Sequence, residues 1–445
     1  MRVLNTTTFE LHSREQEFFK SQGYAILSHR WVGAEITFET LPQHIPELRR
    51  TEARYLASPQ LSKIRGACEM ARQLGFAWMW IDNCCINKAS STEESESINS
   101  MYKWYRDAQI CITYLSDVKL DAAPGILNQN SPTKIFRKIN SDQPSEWFFR
   151  GWTLQELLAP RKMNFYDTNW TYMGTKDSLA SEIEEITGIS SAYLTNAVPF
   201  RDACIATKMS WMAGRKTTRE EDIAYGMLGI FNVVIMPLYG EGMNAFRRLQ
   251  ELLQTTVIDE SLYAWNMPDA SASKTYGVER NRETVWGPGE WGLLAATPNW
   301  FGGCGHLTID GGPRIKRTVE SFVPNQEGVR REVFISPSER RRFILTILLN
   351  FTIICSIPAV IYGRRILTHV KHGAMFPLNC WARNANGKLA AVSICLGVIS
   401  TGSRSVSKFK RIRCQDRMLS EKYTCDTSQP ARQGIMLRPK IRYDD

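Results

Sequence analysis

Four short apolar runs, separated by helix-length sequence, restrict this chain to few architectures. Gly23-Tyr24-Ala25-Ile26-Leu27-Ser28-His29-Arg30-Trp31 begins apolar and ends in polar groups. Trp78-Met79-Trp80-Ile81-Asp82 does the same, and Cys111–Leu115 and Met163–Tyr166 follow. Such runs read as buried parallel strands that deliver side chains to the carboxyl edge of a sheet. Between them, Leu61, Ile64, Ala67/Cys68, Ala71 and Leu74 mark one face of a helix that Gly75 ends. Ser91-Thr92-Glu93-Glu94 reads as a capping box opening a helix with Ile98, Met101/Tyr102, Tyr105 and Ala108 on its buried stripe. Strands alternating with helices predict an α/β fold with a largely parallel sheet. Residues 1–22 read as a lead-in strand and helix, and 117–144 as a surface loop.

The stretch Ser145 to Leu158, closed by Ala159-Pro160, carries the most suggestive chemistry. Its aromatic and apolar residues recur every three or four positions, which predicts a short helix that Pro160 stops. Trp152 and Glu156, four apart, share a face of that helix. A flat ring beside a carboxylate suits a ligand with a planar group and sugar hydroxyls. The alternative is structural, with Trp152 in the core and Glu156 paired to Arg150 or Arg161. The carboxyl edge of the sheet would gather Ser28–Trp31, Asp82–Cys85 and this helix.

The chain then changes character twice. Residues 175–255 turn helical, with Thr218-Arg219-Glu220-Glu221 as a second capping box, a turn at Pro237–Gly242, and an amphipathic helix marked by Ala245, Phe246, Leu249, Leu252 and Leu253. Gly240-Glu241-Gly242 is no phosphate loop, because no Gly-Lys-Ser/Thr follows. From about residue 261 glycine, proline and isolated tryptophans increase, and runs such as Leu389–Leu396 predict a β-rich region. We therefore divide the chain into 1–260, with an α/β core over about 20–170 and a helical extension over 175–255, and 261–445.

Charge follows the same division. Residues 1–260 carry 28 Lys+Arg against 31 Asp+Glu, whereas 261–445 carry 27 against 14. A basic C-terminal part suits an anionic surface, but it lacks the interleaved aromatic and glycine pattern of an RNA-binding sheet, which argues against nucleic acid. Phe343–Tyr362, flanked by arginines, is long enough to span a bilayer. Asn350, Thr352, Ser356 and Pro358 interrupt it, so a buried two-strand segment and membrane association both stay open. Eleven cysteines without paired spacing, scattered histidines and no charged leader predict a cytoplasmic protein with reduced thiols and no metal site.

Taken together, the blocks resemble the fungal heterokaryon incompatibility (HET) domain. The matching pieces are Tyr24–Trp31, Ala71-Arg72 through Trp80-Ile81-Asp82 with Cys84-Cys85-Ile86, Ser97–Tyr102 through Trp104-Tyr105, and Arg150–Leu157. Met209-Ser210-Trp211, Arg215, Thr217-Thr218-Arg219, Glu221-Asp222, Ala224-Tyr225 and Tyr239–Gly242 continue it, and Met1–Thr8 resembles the family's opening. The resemblance covers roughly residues 1–260. Asn87 stands where the family pattern has Asp, and Asn232–Pro237 is reshuffled.

The resemblance implies a role in triggering cell death when genetically different hyphae fuse. It also implies a TIR-like (Toll/interleukin-1 receptor, flavodoxin-like) fold, a class in which many members cleave NAD+. TIR enzymes carry a catalytic glutamate in a Trp-Cys-x-x-Glu-Leu helix, and Trp152-Thr153-Leu154-Gln155-Glu156-Leu157 has that form with Thr153 for cysteine. Glu156 is thus the catalytic candidate. Ser28, His29, Arg30, Trp31, Asp82, Cys85 and Trp152 are the binding candidates, with Trp31 or Trp152 stacking on a ring, Arg30 meeting pyrophosphate and Asp82 orienting its loop. NAD+ would be a substrate, with no cofactor required. Nicotinamide leaves as a neutral molecule, so one carboxylate suffices where ordinary glycosidases need two. The expected partners are further copies of the chain and other incompatibility or sensor proteins. A catalytically silent module that kills by recruiting partners is the competing reading.

Overall fold

The computed structural model describes residues 1–50, 58–120, 135–257, 259–268 and 291–309, and strand segments between 323 and 425. It divides into two compact units, the first built from 1–203, 207–253 and 296–305 and the second from 204–206, 254–295 and 306–445.

The first unit is organised around a seven-stranded mixed sheet. In chain order its elements begin with β1 (Arg2–Asn5), β2 (Leu11–Ser13), α1 (Gln16–Gln22), β3 (Ala25–His29), α2 (Leu41–Leu48), α3 (Pro59–Gln73) and β4 (Trp78–Trp80). A one-turn helix α4 (Asp82–Cys85), the long α5 (Ser91–Asp107), β5 (Ile110–Tyr114), α6 (Thr153–Leu158), β6 (Met163–Tyr166) and β7 (Tyr172–Thr175) follow. The strands lie in the order β2-β1-β4-β3-β5-β6-β7. β3 pairs in parallel with β4 and β5, and β5 with β6, whereas β1, β2 and β7 run antiparallel at the edges.

The four parallel strands are the four apolar runs. β3 and β5 are buried at every position, as a central strand covered on both faces must be. The chain passes from β3 to β4 on one side and then to β5 on the other, so the connections diverge at the carboxyl ends of β3 and β5. Open sheets of this kind bind ligands in the crevice at that point. A lead-in strand was foreseen within 1–22, but its antiparallel pairing with β2 and β4, and β7 at the other edge, were not, because that pairing depends on neighbours far along the chain.

Local signals mostly act where the sequence put them, with displacements. α3 buries Leu61, Ile64, Ala67, Cys68 and Ala71, and Gly75 then takes φ +86°, a left-handed turn that suits glycine. The cap of α5 is Ser90, one residue before the expected box, and its Oγ accepts from the Glu93 amide at 3.3 Å. Glu93 instead accepts from the Asn87 amide and from Arg2. Residues 145–158 form not one helix but a 3₁₀ turn, Glu146–Phe149, and then α6.

Beyond β7 the first unit turns helical, with α7 (Ala180–Thr187), α8 (Ser191–Leu194), α9 (Ile205–Ser210), α10 (Asp222–Tyr225), α11 (Leu228–Phe231) and α12 (Asn244–Thr256). The second expected box does not form: Glu221 precedes α10 and accepts from the backbone N–H groups of Gly240 and Gly242 at 2.7 and 2.9 Å. α12 buries Ala245, Phe246, Leu249 and Leu253 as its spacing requires.

The second unit is β-rich in its described residues. β8 (Val323–Asn325) and β9 (Gly328–Arg330) form a hairpin pair, and β10 (Ala374–Arg383), β11 (Leu389–Thr401), β12 (Ser407–Arg411) and β13 (Met418–Cys425) form an antiparallel sheet centred on β11. No helix among the described residues is long and apolar enough to cross a membrane. Phe343–Tyr362 lies outside the described residues.

Candidate functional site

The site is built from the last residues of β3, the first of α4 and the middle of α6. Ser28 and His29 occupy the carboxyl end of β3, where alternation turns one side chain to each face. The Ser28 hydroxyl donates to Oε2 of Glu156 at 2.6 Å, and the indole Nε1 of Trp147 donates to Ser28 Oγ at 2.9 Å. Trp147 comes from the 3₁₀ turn before α6, so the turn and the helix grip one hydroxyl from both sides. Tyr105 of α5 lies beside Glu156 and donates its hydroxyl to the Leu27 carbonyl at 2.8 Å.

Glu156 is 7% exposed. Burial pushes its carboxyl up to about 8, against the opposing pull of the Ser28 hydrogen bond, with Asp82 adding to the rise. At neutral pH the resting group is therefore largely protonated. Neither Arg150 nor Arg161 pairs with it; Arg150 donates instead to Thr218 Oγ1.

Two buried cations hold the ends of α6. Arg215 donates Nη1 to the Arg150 carbonyl at 2.9 Å and to Thr153 Oγ1 at 3.1 Å, at the helix start. Burial lowers its guanidinium to about 9, while Glu156 opposes that fall. Lys176, just after β7, donates Nζ to the carbonyls of Leu157 and Pro160 at 3.3 and 2.7 Å, at the helix end. Burial lowers that ammonium to about 8. Neither residue was among the sequence candidates. Arg215 was legible only through the resemblance, and Lys176 carries no local signal.

The second half of the site surrounds Asp82. Trp31 donates its indole N–H to Asp82 Oδ2 at 2.8 Å, and the Lys88 ammonium sits 3.6 Å from the Trp31 ring centroid. His29 Nε2 stands 3.7 Å from Asp82 Oδ1, and both atoms are buried without a hydrogen-bond partner. Burial drives the His29 imidazole well below its usual range, with Lys63 and Lys88 adding to the effect, so the ring is neutral. Burial pushes Asp82 upward, and Lys88 opposes it. The loop after β3 fixes α4 from outside: Asn83 donates to the Ile36 carbonyl at 2.9 Å, and Lys63 pairs with Glu35.

The fold therefore brings together Ser28, His29, Trp31, Asp82 and Glu156. Arg30 follows β3 with its Nε buried and without a hydrogen-bond partner, and its charge acts on Glu146. One candidate stands elsewhere. Cys85 faces the back of α4, where its Sγ accepts from the Ile81 amide and burial pushes the thiol up to about 12, which leaves it inert. Trp152 stands one helical turn before Glu156, with helical backbone and its carbonyl accepting from the Glu156 amide at 3.4 Å. It is half-buried and lies near Asp222, while Glu156 meets Ser28 of β3. The break between the 3₁₀ turn and α6 falls at Arg150, ahead of Trp152, so 145–158 is not one helix but the turn from Trp152 to Glu156 is helical.

This is an α/β domain with a buried, hydrogen-bonded carboxyl at the point where its strand connections diverge. Residues 24–156, which hold all of β3 through Glu156, match the family described as Heterokaryon incompatibility protein (HET). The chain is also 38% identical over 231 residues to the vegetative incompatibility protein HET-E-1 of Podospora anserina. That match covers 51% of this chain and 16% of the relative's length. No solved structure matches the chain.

Proposed function

We propose that this chain acts in heterokaryon incompatibility, triggering cell death when unlike hyphae fuse, and that it does so by cleaving NAD+. The observation that carries the proposal is the Ser28–Glu156 contact, which sets a carboxyl at the carboxyl edge of the sheet inside the HET segment. The parallel order β4-β3-β5-β6, with its divergence beside that carboxyl, supports a TIR-like reading of the core.

In this reaction the bond between nicotinamide and ribose C1′ breaks, and its electron pair returns to the pyridinium nitrogen. Water then adds to C1′ and loses a proton. Ionised Glu156 stabilises the positive charge that develops on the ribose, and Ser28 and Trp147 hold it in place. Since the resting carboxyl is protonated and nearly closed to solvent, self-association would activate the site by opening it and letting Glu156 ionise. No cofactor is required.

A second reading follows from the same burial. A closed carboxyl tied to Ser28 also serves as a structural network in a module that kills by recruiting other incompatibility or sensor proteins. Incubating purified chain with NAD+ and following nicotinamide release separates the two. Release by the wild type and its loss in a well-folded Glu156→Gln variant supports cleavage. Cell death that persists in Glu156→Gln at matched expression leaves recruitment.

A further inference from the structure

A cavity of about 320 Å³ opens in the first unit beside the segment that leads into α6, and every residue lining it belongs to that unit. Met212, Ile223, Met243 and Pro298 give it apolar walls, and Arg215, Lys216 and Glu220 give it charge. The charges stand apart. The Lys216 backbone bridges Phe149 and Gly151 and its ammonium acts on Glu146, which puts this cation on the side of the 3₁₀ turn. Glu220 reaches the other way: its Oε2 lies 3.1 Å from where a Cβ on Gly242 would stand, next to Met243. Neither Lys216 nor Glu220 makes an ion pair among the described residues, and the neighbouring Glu146 and Arg219 are taken by Lys138 and Glu94. Arg215 is 7% exposed, makes no ion pair among the described residues, and has an Nη2 without a hydrogen-bond partner. The cavity thus holds a positive side and a negative side, both without a partner, with apolar surface around them.

We propose that this cavity binds a free α-amino acid with an apolar side chain and that its occupant tightens the start of α6. The carboxylate meets Lys216 in the field of Arg215, the ammonium meets Glu220, and the side chain lies against Met212, Ile223, Met243 and Pro298. The volume stands at the lower end of ligand pockets, roughly 300–1,000 Å³, which suits a molecule of that size. An inorganic anion would satisfy the cations but face Glu220 and leave the apolar walls uncovered, whereas a small zwitterion answers both charges. No residue of β3 or α4 lines the cavity, so the inference stands whether or not NAD+ is cleaved.

The same wall clamps the helix that carries Glu156. The Lys216 amide donates to the Phe149 carbonyl at 2.7 Å, and the Gly151 amide donates to the Lys216 carbonyl at 2.9 Å. Arg215 holds the Arg150 carbonyl and Thr153 Oγ1, and Gly151 packs on Thr217 with no room for a side chain. A ligand stabilises the arrangement it binds, so an occupant held by Lys216 slows the opening of this clamp.

Calorimetric titration of the full chain with L-leucine, L-leucinamide (no carboxylate) and N-acetyl-L-leucine (no ammonium) tests the site. We expect leucine to bind and each derivative to bind about tenfold or more weakly. Lys216→Met should weaken leucine by a similar factor and erase its preference over leucinamide, and Glu220→Gln should erase its preference over N-acetyl-leucine. Both side chains are exposed and the Lys216 clamp is made by main-chain groups, so both variants should keep the wild-type melting temperature. Hydrogen exchange at the Gly151 and Leu154 amides should slow when leucine is added to the wild type. Absence of leucine binding overturns the inference, as do equal affinities for the three compounds or wild-type affinity in both well-folded variants. Inorganic phosphate that binds more tightly than leucine overturns the ligand class. Leucine binding with unchanged exchange overturns the link to α6.

Discussion

The Ser28 hydroxyl meets the Glu156 carboxyl at 2.6 Å although 128 positions separate them. That contact joins the first parallel strand to the helix after the third, and Trp147 completes it by donating to the same hydroxyl. Ser28→Ala should therefore strip a partner from two buried groups at once. We expect a loss of about 1–3 kcal/mol in chemical denaturation. Because the Ser28 hydrogen bond lowers the Glu156 pKa, the variant should also move the titration of Glu156 to higher pH.

Glu156 itself makes stability depend on pH. Its folded pKa, about 8, lies above the ordinary value of 4.5. Between those values the folded chain holds a proton that the unfolded chain has lost, so the contribution of this group falls as pH rises from 4.5 to 8 and levels off above. The difference in unfolding free energy between wild type and Glu156→Gln should shrink the wild type's lead across that window. Denaturation of both proteins at pH 5.5 and 8.5 checks the sign, and a difference that is flat with pH would place Glu156 in a solvated environment. Subtracting the two proteins removes His29, whose neutral buried ring gives a trend of the opposite sign below its unfolded pKa.

Lys176 gives a separate test at the other end of α6. Lys176→Met keeps the aliphatic stem but leaves the carbonyls of Leu157 and Pro160 without their donor, at a cost of about 1–3 kcal/mol. Its folded pKa of about 8 lies below the ordinary 10.5, so the folded chain binds fewer protons in that interval. The wild type should thus gain stability from pH 8 to 10.5 relative to the variant. Equal pH profiles for the two proteins would contradict the burial of this ammonium.

How much of this was legible in the sequence depends on whether the signal is local. β3, β4, β5 and β6 announced themselves because a strand covered on both faces must be apolar throughout. The short antiparallel strands Leu11–Ser13 and Tyr172–Thr175 did not, since their pairing depends on neighbours far along the chain. Glu156 and Ser28 were both found as edge residues, but their contact was not, because no periodicity links residues in different elements. The break at Arg150 that divides 145–158 into a 3₁₀ turn and a helix was not legible either, since the three- and four-residue spacing runs through it. Arg215 and Lys176 act through carbonyls at the helix ends, and only the folded chain brings them there.

Close packing around α3 offers a prediction of another kind. A Cβ added at Gly66 would collide with the Trp170 indole, and Trp170 stacks on Tyr114 of β5 with ring centroids 4.5 Å apart. Gly66→Ala should therefore destabilise by about 1–3 kcal/mol through overpacking, despite the better helix propensity of alanine. A Tyr114-side rearrangement would appear as a change in near-ultraviolet circular dichroism. A variant that is more stable than the wild type would show that Trp170 moves aside freely.

The last prediction concerns where the first unit can be cut. Its sheet and helices close by residue 253, but Ala296–Gly305 also belongs to it. Within that segment Trp300 and Phe301 are fully buried, Asn299 Oδ1 accepts from the Gly214 amide at 2.8 Å, and the Cys304 carbonyl accepts from Thr207 at 3.1 Å. Ending the chain at 260 removes two large aromatics and both acceptors, and exposes the apolar surface they cover. Burying a single aromatic side chain is worth about 1.5–3 kcal/mol, so the shortened unit loses a substantial part of the net stability typical of a domain, about 5–15 kcal/mol. A 1–305 fragment should express in soluble form and melt cooperatively, whereas a 1–260 fragment should aggregate or melt well below it. Equal melting temperatures for the two fragments would show that 296–305 adds nothing to the fold, and would return the boundary to residue 260.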